Sequence, residues 1–252
     1  MTRPRSVARH GRRAGFRTGA TLLGIAGELV VTLGVLIGLF AGWQLWWTDL
    51  SASRSQAQAI RELGWPESPP ANAQQSAAPH RDPAPSIPEP QNARTFGVLQ
   101  VPRWGHDYQQ PISEGTNREK VLNVLGIGHY SGTAMPGAVG NFAVAAHRTT
   151  YGKPFSRINE LQVGDALVVR TERTWYVYRV TGYELVRPWQ VEVIAPVPGK
   201  PGTAPTTAAI TLTTCHPRYS ARQRYVVHGV LDYWLPVSEG TPVELAPGSG
   251  RT

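Results

Sequence analysis

The sequence predicts an all-β folded domain, a barrel or a sandwich, behind one membrane-spanning helix and a proline-rich spacer. Three observations carry this. From residue 94 onward, short β-branched and aromatic runs alternate with Gly/Pro/Asp turns. A long apolar run over residues 29–47 follows six arginines. Between the two lies a stretch, residues 66–90, with eight prolines among alanines, serines and glutamines.

In chain order, residues 1–19 form a basic tail with Arg3, Arg5, Arg9, Arg12, Arg13 and Arg17. Residues 20–48 hold the apolar run, about as long as the roughly 20 residues a helix needs to cross the hydrocarbon core. Trp43, Trp46 and Trp47 gather at its far end, where indole rings favour the headgroup layer. The arginines place the N-terminus in the cytoplasm and the bulk of the chain outside, on a single-pass signal anchor. No small-residue cleavage site of the kind a removed signal peptide needs follows the tryptophans. Residues 49–65 are expected to continue as a helical stalk. Residues 66–93 are expected to be an extended, disordered linker.

The folded domain is expected over residues 94–236, followed by a C-terminal tail, 237–252. Strands are predicted at residues 96–101, 108–112, 142–146, 166–170, 175–185, 210–214 and 225–233. A short helix at 117–124 has Asn117 available as its cap. The segment 188–205 is a long loop, above the usual length for a compact domain.

Charge excludes one class of function. The formal net charge is +8, yet six of the basic residues sit in the tail. Residues 20–93 carry three basic and six acidic residues, and the rest sixteen and eleven. This is the charge pattern of membrane topology and makes no separate case for nucleic-acid binding.

The most informative residue is the single cysteine, Cys215. Outside the cytoplasm it has no intrachain disulfide partner, which leaves an intermolecular crosslink, a buried thiol or a nucleophile. It ends a β-branched strand with His216, Arg218, Arg222 and Arg224 close behind. A positive surround lowers a thiol's pKa. A cysteine nucleophile needs a proton-transfer partner, and an oxyanion needs a donor. Among the histidines of the domain, His216 neighbours the cysteine and is expected to point the other way. His228 lies inside an apolar strand. His147 ends the run 142–146 and opens a polar turn, and His106 and His129 stay open as alternatives.

Thr211-Leu212-Thr213-Thr214-Cys215 followed by Arg224 resembles the Thr-Leu-x-Thr-Cys…Arg signature of sortases, membrane-anchored cysteine transpeptidases of Gram-positive bacteria. Gly128-His129-Tyr130, the stretch from Ala146-His147-Arg148 to Tyr151-Gly152, and Cys215-His216-Pro217-Arg218-Tyr219 resemble the actinobacterial class E branch. The resemblance covers residues 94–234 and the anchor's Gly27-Glu28-Leu29 and Gln44-Leu45-Trp46-Trp47-Thr48. It implies an eight-stranded β-barrel, with His147, Cys215 and Arg224 as the catalytic set. Ala146 stands where the family has glycine before the histidine.

The resemblance further implies that Cys215 attacks the Thr–Gly bond of a C-terminal sorting signal on a surface protein. The thioester would then pass to an amine of a peptidoglycan precursor. Class E members favour Leu-Ala-x-Thr-Gly over Leu-Pro-x-Thr-Gly signals, and Tyr130 is the candidate groove residue; packing of the groove wall is its other reading. Thr213 and Thr214 are candidates for orienting the site, though β-branched strand residues need no such reason. No metal and no cofactor are expected. A thiol protease and a non-catalytic envelope-binding domain are the alternatives. The Ser-x-Gly-Cys neighbourhood of L,D-transpeptidases is absent, since Thr213 and Thr214 precede Cys215.

Overall fold

The computed structural model describes residues 14–65 and 78–246. It divides into two compact units, residues 1–47 and 48–252. The basic tail up to residue 13, linker residues 66–77 and residues 247–252 lie outside the described residues.

Helix α1 (Ala14–Glu62) accounts for the described part of the first unit and enters the second. Its apolar portion, with mean hydropathy 2.1, is long and apolar enough to cross a membrane. In the second unit, Ala52, Gln56 and Ala59 are buried at helical spacing, so one face of the last turns is packed.

The eight strands are β1 (Thr95–Gln100), β2 (Gln109–Glu114), β3 (Ile127–His129), β4 (Gly140–Ala145), β5 (Ala166–Arg170), β6 (Thr174–Val186), β7 (Ala208–His216) and β8 (Gln223–Pro236). They close into a barrel in the order β1-β2-β3-β4-β7-β8-β6-β5, with β5 pairing back to β1. The β2–β3 and β4–β7 pairs are parallel and the rest antiparallel. Closure leaves no open sheet edge.

Period-two alternation decides what fills the barrel. Phe142 and Val144 of β4, Leu167 and Val169 of β5, Tyr176, Tyr178 and Val180 of β6, and Ile210 and Leu212 of β7 point inward. The intervening Ala166, Val168, Trp175 and Val177 form a second, outer cluster with Tyr233, Leu235 and Val237. An apolar outer face needs a cover, and the segment after β8 supplies it. Leu245 packs there, and Glu244 accepts from Arg179 and from the Tyr233 hydroxyl. The expected C-terminal tail is therefore, as far as residue 246, part of the folded unit.

The disordered-linker expectation is corrected for residues 78–93. His80 pairs with Trp234 through two backbone hydrogen bonds (3.1 and 3.0 Å), and their rings stack at 4.5 Å. Trp234 Nε1 donates to the Asp82 carbonyl, Tyr176 Oη donates to the Pro85 carbonyl at 2.6 Å, and Ile87 packs on the core. Prolines hold this strand-like path without needing N–H partners, and their carbonyls remain free to accept.

Among the strands, β3 has no counterpart in the sequence-based reading. The other seven fall within about two residues of the expected limits or extend beyond them. The expected helix is a single π-type turn, Arg118–Leu122, capped by Asn117 Oδ1 on the Glu119 and Lys120 amides (3.0 and 2.9 Å). The long loop after β6 is pinned in place: Val193 packs with Val186 and Val226, and buried Asn141 donates to the Val193 and Ala195 carbonyls.

Candidate active site

Cys215 and Arg224 stand opposite each other on β7 and β8, and His147 follows two residues after the end of the neighbouring strand β4. In the antiparallel β7–β8 pair, Cys215 stands opposite Arg224, Thr213 opposite Val226 and Thr211 opposite His228. In the parallel β4–β7 pair, Ala143 stands beside Thr211 and Ala145 beside Thr213. The ladder runs one bond further, from the Ala146 amide to the Thr213 carbonyl. Continued two residues past Ala145, that register would set His147 beside Cys215. Side chains two apart share a face, so Ala143, Ala145, Thr211, Thr213 and Val226 lie on the same face as Cys215 and Arg224. Strand ends and the loops leaving them are where a rigid scaffold presents reactive groups.

Cys215 is half-buried and free. Arg224 is half-buried too, and its Nη1 donates to the Ala221 and Gln223 carbonyls, both at 3.0 Å. His147 Nε2 pairs with Asn123 Oδ1 at 2.8 Å. Because that oxygen only accepts, Nε2 carries the proton and Nδ1 is the nitrogen left for exchange. Burial lowers the His147 pKa below its usual value, and the positive charge of Arg118 lowers it further.

The other histidines are engaged elsewhere. His129 is fully buried, with Nδ1 on Glu114 Oε2 at 2.6 Å and Nε2 on Thr133 Oγ1 at 2.9 Å. His228 bonds Thr211 and Glu184. His216 Nδ1 accepts from Arg148 Nη1 at 2.8 Å and its ring lies against Tyr225, so it points away from the Cys215 face as expected. His106 is exposed on the turn before β2.

Two of the three substrate-groove candidates, Tyr130 and Thr213, also meet. Tyr130 lies on the outer face beyond β3, and its hydroxyl is 2.9 Å from Thr213 Oγ1. Thr213 Oγ1 donates in turn to the Val144 carbonyl at 3.3 Å. Thr214 points to the other side of β7, where its Oγ1 donates to the Ala146 carbonyl at 2.7 Å and fixes the residue before His147.

Two residues of this neighbourhood are missed by sequence reasoning. Asn123 sits on a turn whose sequence offers only a cap at Asn117. Arg148 is buried, spans from His216 Nδ1 to Asn159 Oδ1 (2.8 and 2.9 Å), and lies 5.4 Å over the Tyr225 ring. It ties the strand end after His147 to the one carrying Cys215. Its place directly after His147 in the quoted motif was the available signal.

Glu89, Glu114 and His129 bring donor atoms within 4.8 Å of one another, a spacing that could hold a cation. Hydrogen bonds already occupy the cluster: besides His129, Ser131 Oγ donates to Glu114 Oε1 at 2.6 Å, and the Gly132 amide donates to Glu89 Oε1 at 3.1 Å. It reads as a polar brace between the linker and the loop after β3.

Comparison with known proteins agrees with this architecture. Residues 99–232 match the Sortase domain family. The chain is 38% identical over 224 residues to sortase SrtE1 of Streptomyces coelicolor, covering 86% of this chain and 59% of that protein, less than two-thirds of its length. Its structure is similar to that of the SrtA sortase from Actinomyces oris, with a TM-score of 0.63 and 44% identity over 69% of this chain and all of that one. It is also similar to sortase E1 from Streptomyces coelicolor with a tripeptide in the active site (TM-score 0.56, 38% identity, 61% and 98% covered). With a closed eight-stranded barrel and these matches, the chain belongs to the sortase family, in its class E branch.

Proposed function

We propose that this chain is a membrane-anchored transpeptidase that joins proteins carrying a C-terminal sorting signal to an amine of a peptidoglycan precursor. The Cys215–Arg224 pair, with His147 just past the end of the neighbouring strand β4, is the observation that supports it most directly. As Cys215 Sγ attacks the carbonyl carbon of the signal's threonine, its proton passes to His147 Nδ1 and the carbonyl oxygen takes up the electron pair. Arg224 donates to that oxygen with a permanently charged planar group. As the intermediate collapses, the threonine–glycine C–N bond breaks and His147 gives the departing amine a proton. The thioester then accepts the incoming amine. His147 takes a proton from it, and the thiol is released.

Specificity follows from the hydroxyl chain on the groove floor. With the Thr213 proton on the Val144 carbonyl, the Tyr130 hydroxyl donates to Thr213 and keeps a lone pair open to the groove. An alanine in the signal brings a backbone N–H for it; proline has none. Tyr130 thereby favours Leu-Ala over Leu-Pro signals. The arginine-rich start and the tryptophans after the apolar run support an N-terminus in the cytoplasm and the barrel outside.

The deciding experiment incubates the full chain in vesicles with a Leu-Ala-x-Thr-Gly peptide and an amine, followed by mass spectrometry. A peptide–amine product that Cys215→Ala fails to make is the expected result. Hydrolysis alone with the amine in excess would assign a thiol protease. An unlabelled thiol under a thiol-directed electrophile would assign a non-catalytic envelope domain.

A further inference from the structure

Immediately after His147 the chain takes an unusual path. Tyr151, Gly152 and Lys153 have φ of 53°, 76° and 42°, three left-handed residues in succession, two of which bear a Cβ. Left-handed backbone is costly for such residues and persists where surrounding structure imposes it. This loop matters to His147 directly. The Tyr151 ring lies 5.1 Å from the imidazole, and the Phe155 amide donates to the His147 carbonyl at 3.0 Å.

What imposes the path is a segment about a hundred residues earlier, the last turns of α1. Gln56, only 2% exposed, donates from Nε2 to the Tyr151 carbonyl at 3.0 Å. Asp49 accepts from the Gly152 amide at 3.3 Å and pairs with Lys153 Nζ at 2.8 Å. All three left-handed residues are thus gripped by two side chains of the helix. Gln56 also reaches the second loop of the site. A Cβ at Gly152 would stand 2.5 Å from its Oε1, and one at Gly126 would stand 3.3 Å from its Cγ. Gly126 closes the segment that carries Asn123, the hydrogen-bond partner of His147. One glutamine is wedged between the loop holding the imidazole and the loop orienting it.

We infer that Asp49 and Gln56 are positioning residues for His147, so that the segment joining the apolar helix to the barrel is part of the catalytic machinery. This rests on the transpeptidase reading for the role of His147. The wedge holds Tyr151 against the imidazole and keeps the Asn123 bond in register, which fixes where Nδ1 sits relative to Cys215. Misplacing a reacting group by about 1 Å costs up to roughly 10²-fold in rate.

The test uses the full chain in vesicles with Gln56→Met, Asp49→Ala, Asp49→Asn and, on the exposed face of the same helix, Arg54→Ala. Gln56→Met keeps the volume but loses the donor. Folding should survive it, because Oε1 of the native amide already lacks a partner among the described residues. Expected are a fall in kcat of about ten- to a hundredfold for Gln56→Met and Asp49→Ala with KM little changed. Asp49→Asn, which keeps an acceptor for Gly152, should recover part of the loss, and Arg54→Ala should match wild type. Amide hydrogen exchange should accelerate over residues 147–155 and stay unchanged in the barrel strands. Wild-type kcat in both Gln56→Met and Asp49→Ala would overturn the inference, as would a loss accompanied by faster exchange throughout the barrel. A wild-type protein inactive on sorting peptides would instead defeat the transpeptidase reading. Exchange would then decide the clamp alone: local acceleration supports it, and none overturns it.

Discussion

Arg224 stands directly opposite Cys215 across the β7–β8 pair, and it commits Nη1 to two carbonyls of its own turn. That division of labour gives the first prediction. The guanidinium anchors itself through one nitrogen, and on the proposed mechanism the rest of its planar fork serves the oxyanion. Lysine has a single nitrogen for both tasks. Arg224→Lys should lower peptide cleavage by about 10²–10³-fold, the usual cost of an oxyanion donor. Alkylation of Cys215 and the folded barrel should survive. Cleavage within a few-fold of wild type would remove Arg224 from the site.

The second prediction concerns acid. Burial, and then the charge of Arg118, hold His147 below the ordinary histidine value of 6.5. Its imidazole Cε1–H resonance should therefore titrate below that value, and Arg118→Ala should move it upward. The sign for stability follows. As pH falls through 6.5 the unfolded chain takes a proton that the folded one refuses, so stability declines until the lowered folded value is reached. His147→Gln should flatten that decline in thermal melts. A titration at or above the ordinary value would contradict the buried placement of the ring.

Much of this fold is legible in the sequence because alternation is a local signal. Tyr176, Tyr178 and Val180 against Trp175 and Val177 name the two faces of β6 without any partner strand. The Cys215–Arg224 relationship is legible only through the family motif, because strand register depends on a turn that the sequence does not fix. Strand β3 escapes notice because three residues, one of them Gly128, carry no period. Residues 78–93 look disordered since a proline-rich stretch buries little by itself. Hydrogen bonds that hold them, such as those to Tyr176 and Trp234, reach far along the chain. Asn123 and Gln56 are illegible for the same reason: they act across 24 and 95 residues of sequence.

The third prediction follows from Asn123. Its Oδ1 sets the Nε2–H tautomer of His147 and aims the ring. Asn123→Ala should slow turnover by a few-fold to about tenfold, one hydrogen bond's worth, with KM little changed. Asn123→Asp places a carboxylate on the same nitrogen and should raise the His147 pKa, the opposite direction to burial. Nitrogen chemical shifts of the imidazole distinguish the tautomers. An Asn123→Ala protein with an unaltered tautomer would show that Asn123 is a bystander.

The last prediction concerns the groove. Tyr130, Thr213 and the Val144 carbonyl form a chain: with the Thr213 proton on Val144, Tyr130 donates to Thr213 and offers its lone pair outward. Tyr130→Phe deletes the acceptor while keeping the ring and its packing. An alanine-containing signal would lose a partner for its N–H, and a proline-containing signal would lose nothing. One neutral hydrogen bond contributes about 0.5–1.5 kcal/mol, so the Leu-Ala over Leu-Pro preference in kcat/KM should narrow by a few-fold to roughly tenfold. The narrowing should come from slower Leu-Ala turnover, with the Leu-Pro rate held. If both signals slow equally, the hydroxyl serves the groove floor and the specificity resides in another side chain.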